Sequence, residues 1–350
     1  MGKPDDIFAA TQRYERWLRT QVQVVAPDLA LKHKAMRKSA FGFLRATYYR
    51  WAATWPLICP HSTAEPQIMG VGDLHIENFG TWRDAEGRLV WGVNDFDEAH
   101  TLPYTNDLVR LAASVLVASR KGPLKLDGKS ICTIILESYA QAIAARHAWP
   151  FVLEEHNDPL RDLALSMRRS PRKFWKKIAD ADRAEPPTEV KVLLSKHLPQ
   201  GTTAVRFIRR TAGTGALGVP RYAAVGEFCG ALVAREAKAR LPASSEGETF
   251  LIDGAVRAPD PFLHVEHHWL VRRLAPHCER IELEDLALAD QMHAVLAAMG
   301  RETANIHRAN ASARKAIIRD LARRKRHWLH DAASAMTDAV MADWKAWKKA

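Results

Sequence analysis

Two stretches, "VGDLHIENFG" from Val71 to Gly80 and "VNDFDEA" from Val93 to Ala99, set Asp73, Glu77, Asp95, Asp97, Glu98 and the imidazole of His75 among apolar residues. Burying a carboxylate costs on the order of several kcal/mol unless a cation or a proton meets it, so this pattern calls for a partner of positive charge. Local geometry narrows the choice. "NFGTW" and "RLVWGVND" flank the turn "RDAEGR" and read as a β-hairpin, whose two ends lie side by side roughly 5 Å apart. Asn78 stands before the first strand and Asp95 after the second, with Asp73 five residues upstream of Asn78. Hairpin closure therefore brings an amide oxygen against a carboxylate. Such an oxygen-only pair suits Mg²⁺, which completes its shell with water and substrate phosphate. Asp73, left off the metal, is placed to accept a proton from an attacking hydroxyl.

The spacing D-x-x-x-x-N from Asp73 to Asn78, followed by D-F-D at Asp95, resembles the catalytic loop and metal motif of the protein-kinase-like superfamily. The wording "GDLHIEN" looks most like the H-G-D-L-H-P-x-N loop of aminoglycoside phosphotransferases and choline kinases. That resemblance implies Asp73 as catalytic base and Asn78 and Asp95 as magnesium ligands. Asp97 is then a further group beside that metal or on a second one, and His75 and Glu77 orient the loop. Gly70, Val71 and Gly72 depart from the pattern, standing where the family has its leading His. The same "GDLH" also resembles the opening of metallophosphoesterases, in which Asp73 and His75 would hold one of two metals; the G-N-H block such enzymes need is missing from the sequence.

A kinase-like site needs something to hold phosphates. "AGTGALGV" supplies Gly213, Gly215 and Gly218 in G-x-G-x-x-G spacing, between the β-prone "VRFIRRT" and "VPRYAAV". Strands on both sides suit a loop folding over phosphates and argue against the strand-then-helix setting of a dinucleotide fold. Lys238, in "ALVAREAKA" twenty residues after Gly218, corresponds to the strand lysine that pairs with the α- and β-phosphates. Arg235 is its rival, nearer the glycines but with a planar fork in place of a compact ammonium. In ordinary kinases these elements precede the catalytic loop, whereas here Asp73 comes first. Reading from Val205 through the β-rich segment, through "WLVRRLA" as a hinge, and back to the N-terminal part restores the usual order, which describes a circular permutation. The combination of "GDLHIENFG", "NDFDEA", "NDLVRLAAS" and the later "REAKA" resembles an uncharacterised bacterial family, domain of unknown function 2252.

The elements that must position these groups follow from periodicity. Apolar residues recur every three or four positions through "FAATQRYERWL" and "FGFLRATYYRWAATW", so the first fifty residues read as helical, with a break from Pro56 to Pro66. "QIMGVG" and "RLVWGVN" read as short strands. Thr105 to Ser119 and "SICTIILESYAQAIAARHAW" read as helices, the former capped by Asn106 or Asp107. Pro186 and Pro187 mark a linker. Beyond it "AVRFIRRTAGTGALGVPRYAAVG", "ALVAREAKA", "ETFLIDGAV" and "FLHVEHHWLVRRLA" are β-prone, and two long amphipathic helices follow from Leu283. Three segments result: 1–185, helical, carrying the acidic hairpin; 186–275, β-rich, binding nucleotide; and 276–350, a hinge and helices packing back on the first. The fold class expected is α+β. With the resemblance it becomes a bilobal, protein-kinase-like fold with permuted lobe order, a mainly helical lobe preceding a small antiparallel one.

Of the 350 residues, 51 are Lys or Arg and 40 are Asp or Glu, a net charge of +11 that favours anionic partners. The basic stretches "MRRSPRKFWKK" and "ARRKRHW" read as solvated helix faces. No apolar run approaches the roughly 20 residues of a membrane span, and the N-terminus lacks the order of a secretory signal, so a cytoplasmic location is expected. Cys59, Cys132, Cys229 and Cys278 form no C-x-x-C pair, which indicates neither a zinc knuckle nor a disulfide framework. Strand alternation would split the histidines of "HVEHHW" between two faces. The aromatic residues follow core spacing and do not interleave with basic ones as in a nucleic-acid platform.

The expectation is thus a phosphotransferase using ATP, or another nucleoside triphosphate, and Mg²⁺ on a small-molecule or protein hydroxyl acceptor. The rivals are a metal-dependent phosphoesterase and a catalytically silent kinase-like module binding nucleotide or nucleic acid. Nucleotidylyl transfer by the same residues stays open.

Overall fold

The computed structural model describes residues 6–59, 65–120, 126–154, 159–166, 170–276, 278 and 289–350. Residues 60–64 in the expected break, 167–169 of the first basic stretch, and Leu283 with its neighbours lie outside them.

Four helices open the chain: α1 (Ile7–Gln21), α2 (Ala26–Lys38), α3 (Ala40–Ala46) and α4 (Tyr48–Ile58). Asp6 caps α1 by accepting from the Ala9 amide, and Ser39 caps α3 through Gly42. Next come β1 (Gln67–Gly70), a 3-10 turn (Ile76–Asn78), β2 (Phe79–Arg83), β3 (Leu89–Val93) and β4 (His100–Pro103), then α5 (Tyr104–Ser119) and α6 (Gly128–Ala144). The middle of the chain holds β5 (Phe151–Val152), α7 (Pro159–Ser166), α8 (Pro171–Ala179), α9 (Thr188–His197), β6 (Thr203–Arg209), β7 (Arg221–Phe228), β8 (Ala231–Ala239), α10 (Ser245–Gly254), β9 (His264–Glu266) and β10 (Trp269–Leu274). Last are α11 (Ala289–His307), α12 (Arg314–Arg323) and α13 (Trp328–Lys349). The class is mixed α+β, as expected.

Among the described residues the strands form three antiparallel sheets, β1-β4, β2-β3-β5 and β6-β7-β8-β10-β9. The β2-β3 turn is held by Asp84, whose carboxylate accepts from the amides of Glu86 and Arg88 at 3.0 and 2.9 Å. The largest core joins early and late helices: Trp51, Leu108, Leu111, Ile135, Leu296 and Met336 are at most 2% exposed within one cluster. Helices α1 and α13 meet there, with the Phe8 and Trp347 rings stacked 5.2 Å apart. The five-stranded sheet buries both faces. Ala224, Ala237 and Val271 pack on Val190 and Leu194 of α9, while Ala223, Val225, Ala234 and Leu274 pack on Ile178 of α8. Each Val, Leu or Ile side chain so buried contributes roughly 1.5–3 kcal/mol, and each alanine methyl less. Among the described residues no helix is long and apolar enough to cross a membrane.

Several expectations are corrected. "ETFLIDGAV" lies mostly in helix α10, because Glu248 and Leu251, three apart, bury one helical face. "WLVRRLA" is largely strand β10, paired on both sides, rather than a hinge. Three helices, not two, close the described chain. Helix α5 starts at Tyr104 behind Pro103, so neither Asn106 nor Asp107 caps it; Asn106 accepts from the Trp51 indole at 2.8 Å, and Asp107 is drawn wholly into the interior.

Candidate functional site

A cleft of about 700 Å³ opens between the acidic hairpin and the five-stranded sheet, a size usual for small-molecule sites. Asp73, Asn78, Asp95 and Asp97 line it from one side, and Gly213, Gly215 and Lys238 from the other. The hairpin does the first half of this work. Phe79 pairs with Val93 in the β2-β3 register, so the residues just outside the pair converge. The Asn78 amide nitrogen donates to the carbonyls of Asp95, at 2.9 Å, and Asp73, at 3.3 Å. Both amide hydrogens are thereby committed to backbone, and the oxygen is the atom of this side chain left to meet a cation.

Asp73 is fixed by a group the sequence reading did not single out. Arg110 of α5, fully buried, donates to Asp73 Oδ1 through Nη2 at 2.6 Å and Nε at 3.1 Å, and to the Leu44 carbonyl at 2.7 Å. Its guanidinium lies over the Trp51 ring at 4.7 Å. Oδ2 is turned toward the cleft, 3.9 Å from His75 Nε2 and 3.7 Å from where a Cβ on Gly215 would stand. Burial pushes the Asp73 carboxyl above its ordinary range, although Arg110 and then Arg45 pull the other way. The backbone before Asp73 hangs on Asp107, whose oxygens accept from the amides of Val71 at 2.8 Å and Gly72 at 2.9 Å. His307 Nε2 sits 3.0 Å from the same carboxylate, with its Nδ1 2.8 Å from the Tyr139 hydroxyl. Gly72 has φ +77° and would drive a Cβ into the Glu98 carbonyl, 2.3 Å away, which explains a glycine in this loop. Glu77 pairs with Arg45.

The sheet supplies the second half. Lys238, near the end of β8, reaches Asp95 Oδ1 and Oδ2 at 3.2 and 3.3 Å and also pairs with Asp97. Burial lowers the proton affinity of this ammonium, with Asp95 opposing. Burial pushes Asp95 up, but Lys238, Arg272 and Arg221 outweigh it and hold the carboxyl below the usual range. Glu98, also lining the cleft, is pushed up to about 8 by burial and by Asp73. The glycine loop joins β6 to β7 and is clamped to α2: Lys32 Nζ donates to the Gly215 carbonyl at 2.9 Å, and the Val25 amide donates to Gly218.

Seven of the nine residues singled out from the sequence therefore meet: Asp73, Asn78, Asp95, Asp97, Gly213, Gly215 and Lys238. Two do not. Arg235 lies one position out of phase with Glu236 and Lys238 and so points to the opposite face of β8, with its guanidinium 4.5 Å from the Phe262 ring centre. Gly218 packs on α2, where a Cβ would stand 2.7 Å from Leu29 Cδ2.

Asn78 and Asp95 form an oxygen-only donor set with Asp97 beside it, and Asp95 is held ionised; this chemistry fits a hard divalent ion. Lys238 is the cation now paired with these acids. Among the described residues no group of three or more His, Cys, Asp or Glu is arranged to hold a metal. In "HVEHHW", His264 stacks on His197 with centroids 4.3 Å apart.

Arg110, Lys32, Glu98 and the arginines beside Glu236 were not singled out as site residues from the sequence. A signal existed for Arg110. It follows Asp107 by three positions on an otherwise uncharged helix, a spacing that puts both charges on one buried face. Lys32 carried no comparable mark.

The chain matches the family described as "Uncharacterized protein conserved in bacteria", domain of unknown function 2252, over residues 25–186 and 244–350. It belongs to that family. The match takes in the acidic hairpin and Arg110, while the glycine loop and Lys238 fall between its two parts. No curated protein and no solved structure matches the chain.

Proposed function

We propose that the protein is a phosphotransferase that uses magnesium and ATP, or another nucleoside triphosphate, to phosphorylate a hydroxyl acceptor, on a kinase-like two-lobed plan with permuted lobe order. The observation that carries this reading is the meeting of Lys238 with Asp95 at 3.2 Å while Gly215 lies against Asp73. Permutation is supported by the packing of α1 on α13, where Phe8 stacks on Trp347, since neighbouring first and last helices make a cyclic reordering sterically cheap. Taken round that ring, the glycine hairpin, the Lys238 strand, β10, the late helices and the acidic hairpin follow one another in kinase order.

Magnesium, when bound, neutralises phosphate charge and orients the transferring group. Asn78 and Asp95 would hold it. Gly213 and Gly215 carry no side chains into the cleft, so backbone amides can come close to phosphate oxygens. Lys238 supplies a compact positive charge to the same oxygens. Asp73 Oδ2 takes the proton of the acceptor hydroxyl, Oδ1 being pinned by Arg110, and the proton affinity that burial raises makes it a better base than an exposed carboxylate. Most of the rate gain comes from positioning and charge compensation.

A thermal-shift titration with ATP and Mg²⁺ on native protein and Asp95→Ala, paired with turnover of native protein and Asp73→Asn, tests this reading. The native protein should be stabilised by ligand, Asp95→Ala should not, and Asp73→Asn should keep the shift while losing turnover. Absence of any shift in the native protein would sink it.

A further inference from the structure

The wall of the cleft formed by the sheet carries more positive charge than the phosphotransferase reading uses. Glu236 on β8 stands directly across from Arg272 on β10, and Lys238, two residues on and so on the same face, stands directly across from Arg221 on β7. Arg210, one residue beyond β6, reaches the same carboxylate. The distances to Glu236 are 2.7 Å from Arg210 Nε, 3.0 Å from Arg221 Nη1, and 2.9 Å from both Arg272 Nε and Nη2. Glu236 is fully buried, and all three arginines line the cleft.

One carboxylate thus sits among three guanidiniums. Of the other acids lining the cleft, Asp95 and Asp97 are already paired with Lys238, Glu248 is paired with Arg240, and Asp260 is met by Arg273 and Arg257 before Arg272. Arg210, Arg221, Arg272 and Lys238 thus share Glu236, Asp95 and Asp97, with Arg221 and Lys238 directly opposed across the strands, an arrangement that disfavours folding by itself. Burial and the neighbouring Arg272 both lower the proton affinity of Arg221, with Glu236 opposing. One guanidinium balances the charge of one carboxylate; the surplus suits an anion with several oxygens, which forked N–H donors grip two at a time. Gly213 borders the cluster, 3.6 Å separating Arg221 Nη2 from the point where its Cβ would stand.

We propose that Arg210, Arg221 and Arg272, gathered around Glu236, form an oligophosphate receptor in the sheet wall of the cleft. A chain of phosphates lies along this wall beside Glu236 and takes hydrogen bonds from the arginine forks, while Glu236 keeps the forks spread and oriented until it arrives. The proposal deepens the nucleotide reading above and rests on it for the identity of the natural ligand, but the receptor itself is tested without nucleotide.

The probe is tripolyphosphate, titrated calorimetrically in the presence of a chelator, with inorganic phosphate as the comparison. Native protein should bind tripolyphosphate, and Arg272→Gln and Arg210→Gln should each weaken it at least tenfold. Glu236→Gln, which removes the internal competitor and one negative charge, should bind it several-fold more tightly. Equal affinity in native protein and the arginine variants overturns the proposal. So does absent binding to native protein, or inorganic phosphate binding as well as tripolyphosphate, which would mark a monophosphate site. Weakened binding in a folded Glu236→Gln also counts against it. If Glu236→Gln does not fold, Arg272 and Arg210, whose side chains are 30% and 19% exposed, decide the matter. Tripolyphosphate binding with the expected variant pattern, but no ATP turnover and no Asp95-dependent shift, would leave the receptor standing and remove the phosphotransferase reading. Turnover with unaltered tripolyphosphate binding in the variants would do the reverse.

Discussion

Lys238 Nζ lies 3.2 and 3.3 Å from the two carboxylate oxygens of Asp95, an ion pair that ties a strand of the five-stranded sheet to the exit of the acidic hairpin across 143 residues of sequence. Lys238 is buried, whereas the Asp95 side chain stays 39% exposed, and each favours the charged form of the other, Asp95 with help from Arg272 and Arg221. Replacing Lys238 by Met should free Asp95 and Asp97 for a divalent ion while removing a phosphate contact. Calorimetry should show ATP affinity falling at least about tenfold, and turnover should fall by about 10² to 10³, the usual loss for one preorganised charge. Unchanged ATP affinity would separate Lys238 from the phosphates.

Arg110 is the fully buried partner of Asp73. Removing one member of a buried pair strands the other, at a cost of about 3–5 kcal/mol. Arg110→Met should therefore lower the urea midpoint by a corresponding amount, and Arg110→Lys should recover only part of it, because a single ammonium cannot reach Asp73 and the Leu44 carbonyl with the same fork. Adding Asp73→Asn to Arg110→Met should restore some stability, since the stranded charge is gone.

Gly218 combines φ +102° with the approach of Leu29. Gly218→Ala should cost about 1–3 kcal/mol from backbone strain and overpacking, visible as a lower melting temperature without any ligand. Leu29→Ala in the same chain should relieve the steric part and leave the backbone part. A loss seen only in nucleotide binding would mean that Gly218 acts at the phosphates after all.

Glu302 is buried beneath the hairpin, where burial pushes its carboxyl from 4.5 up to about 7 despite Arg257 nearby. The folded chain keeps this proton in a pH range where the unfolded chain has lost it, so the group's effect on stability is adverse as pH rises from about 4.5 to 7 and constant above. The ceiling is roughly 3 kcal/mol for a shift of this size. Urea midpoints taken from pH 5 to pH 8 should fall less steeply in Glu302→Gln than in native protein. Glu98, raised to about 8, should supply part of the slope that remains.

The hairpin half of the site was legible because it is local. A short turn forces Phe79 and Val93 into register, so Asn78 and Asp95 meet wherever the rest of the chain goes. The glycine hairpin was legible for the same reason, with β6 and β7 running antiparallel on either side of Gly213 and Gly215. "ETFLIDGAV" was misread because its β-branched and aromatic residues score as strand, while the helix depends on burying Glu248 and Leu251, a tertiary matter.

By itself the sequence determined which residues could do the chemistry and which short loops bring neighbours together, since those follow from periodicity and turn length. Tertiary structure alone decided that Lys238 and not Arg235 enters the cleft, because the face of β8 turned toward α9 is set by pairing with β7 and β10 and by what covers the sheet. It alone set Arg110 against Asp73 and gathered Arg210, Arg221 and Arg272 around Glu236. Contacts between distant segments depend on how whole elements pack, and no local pattern records the free energy that settles them.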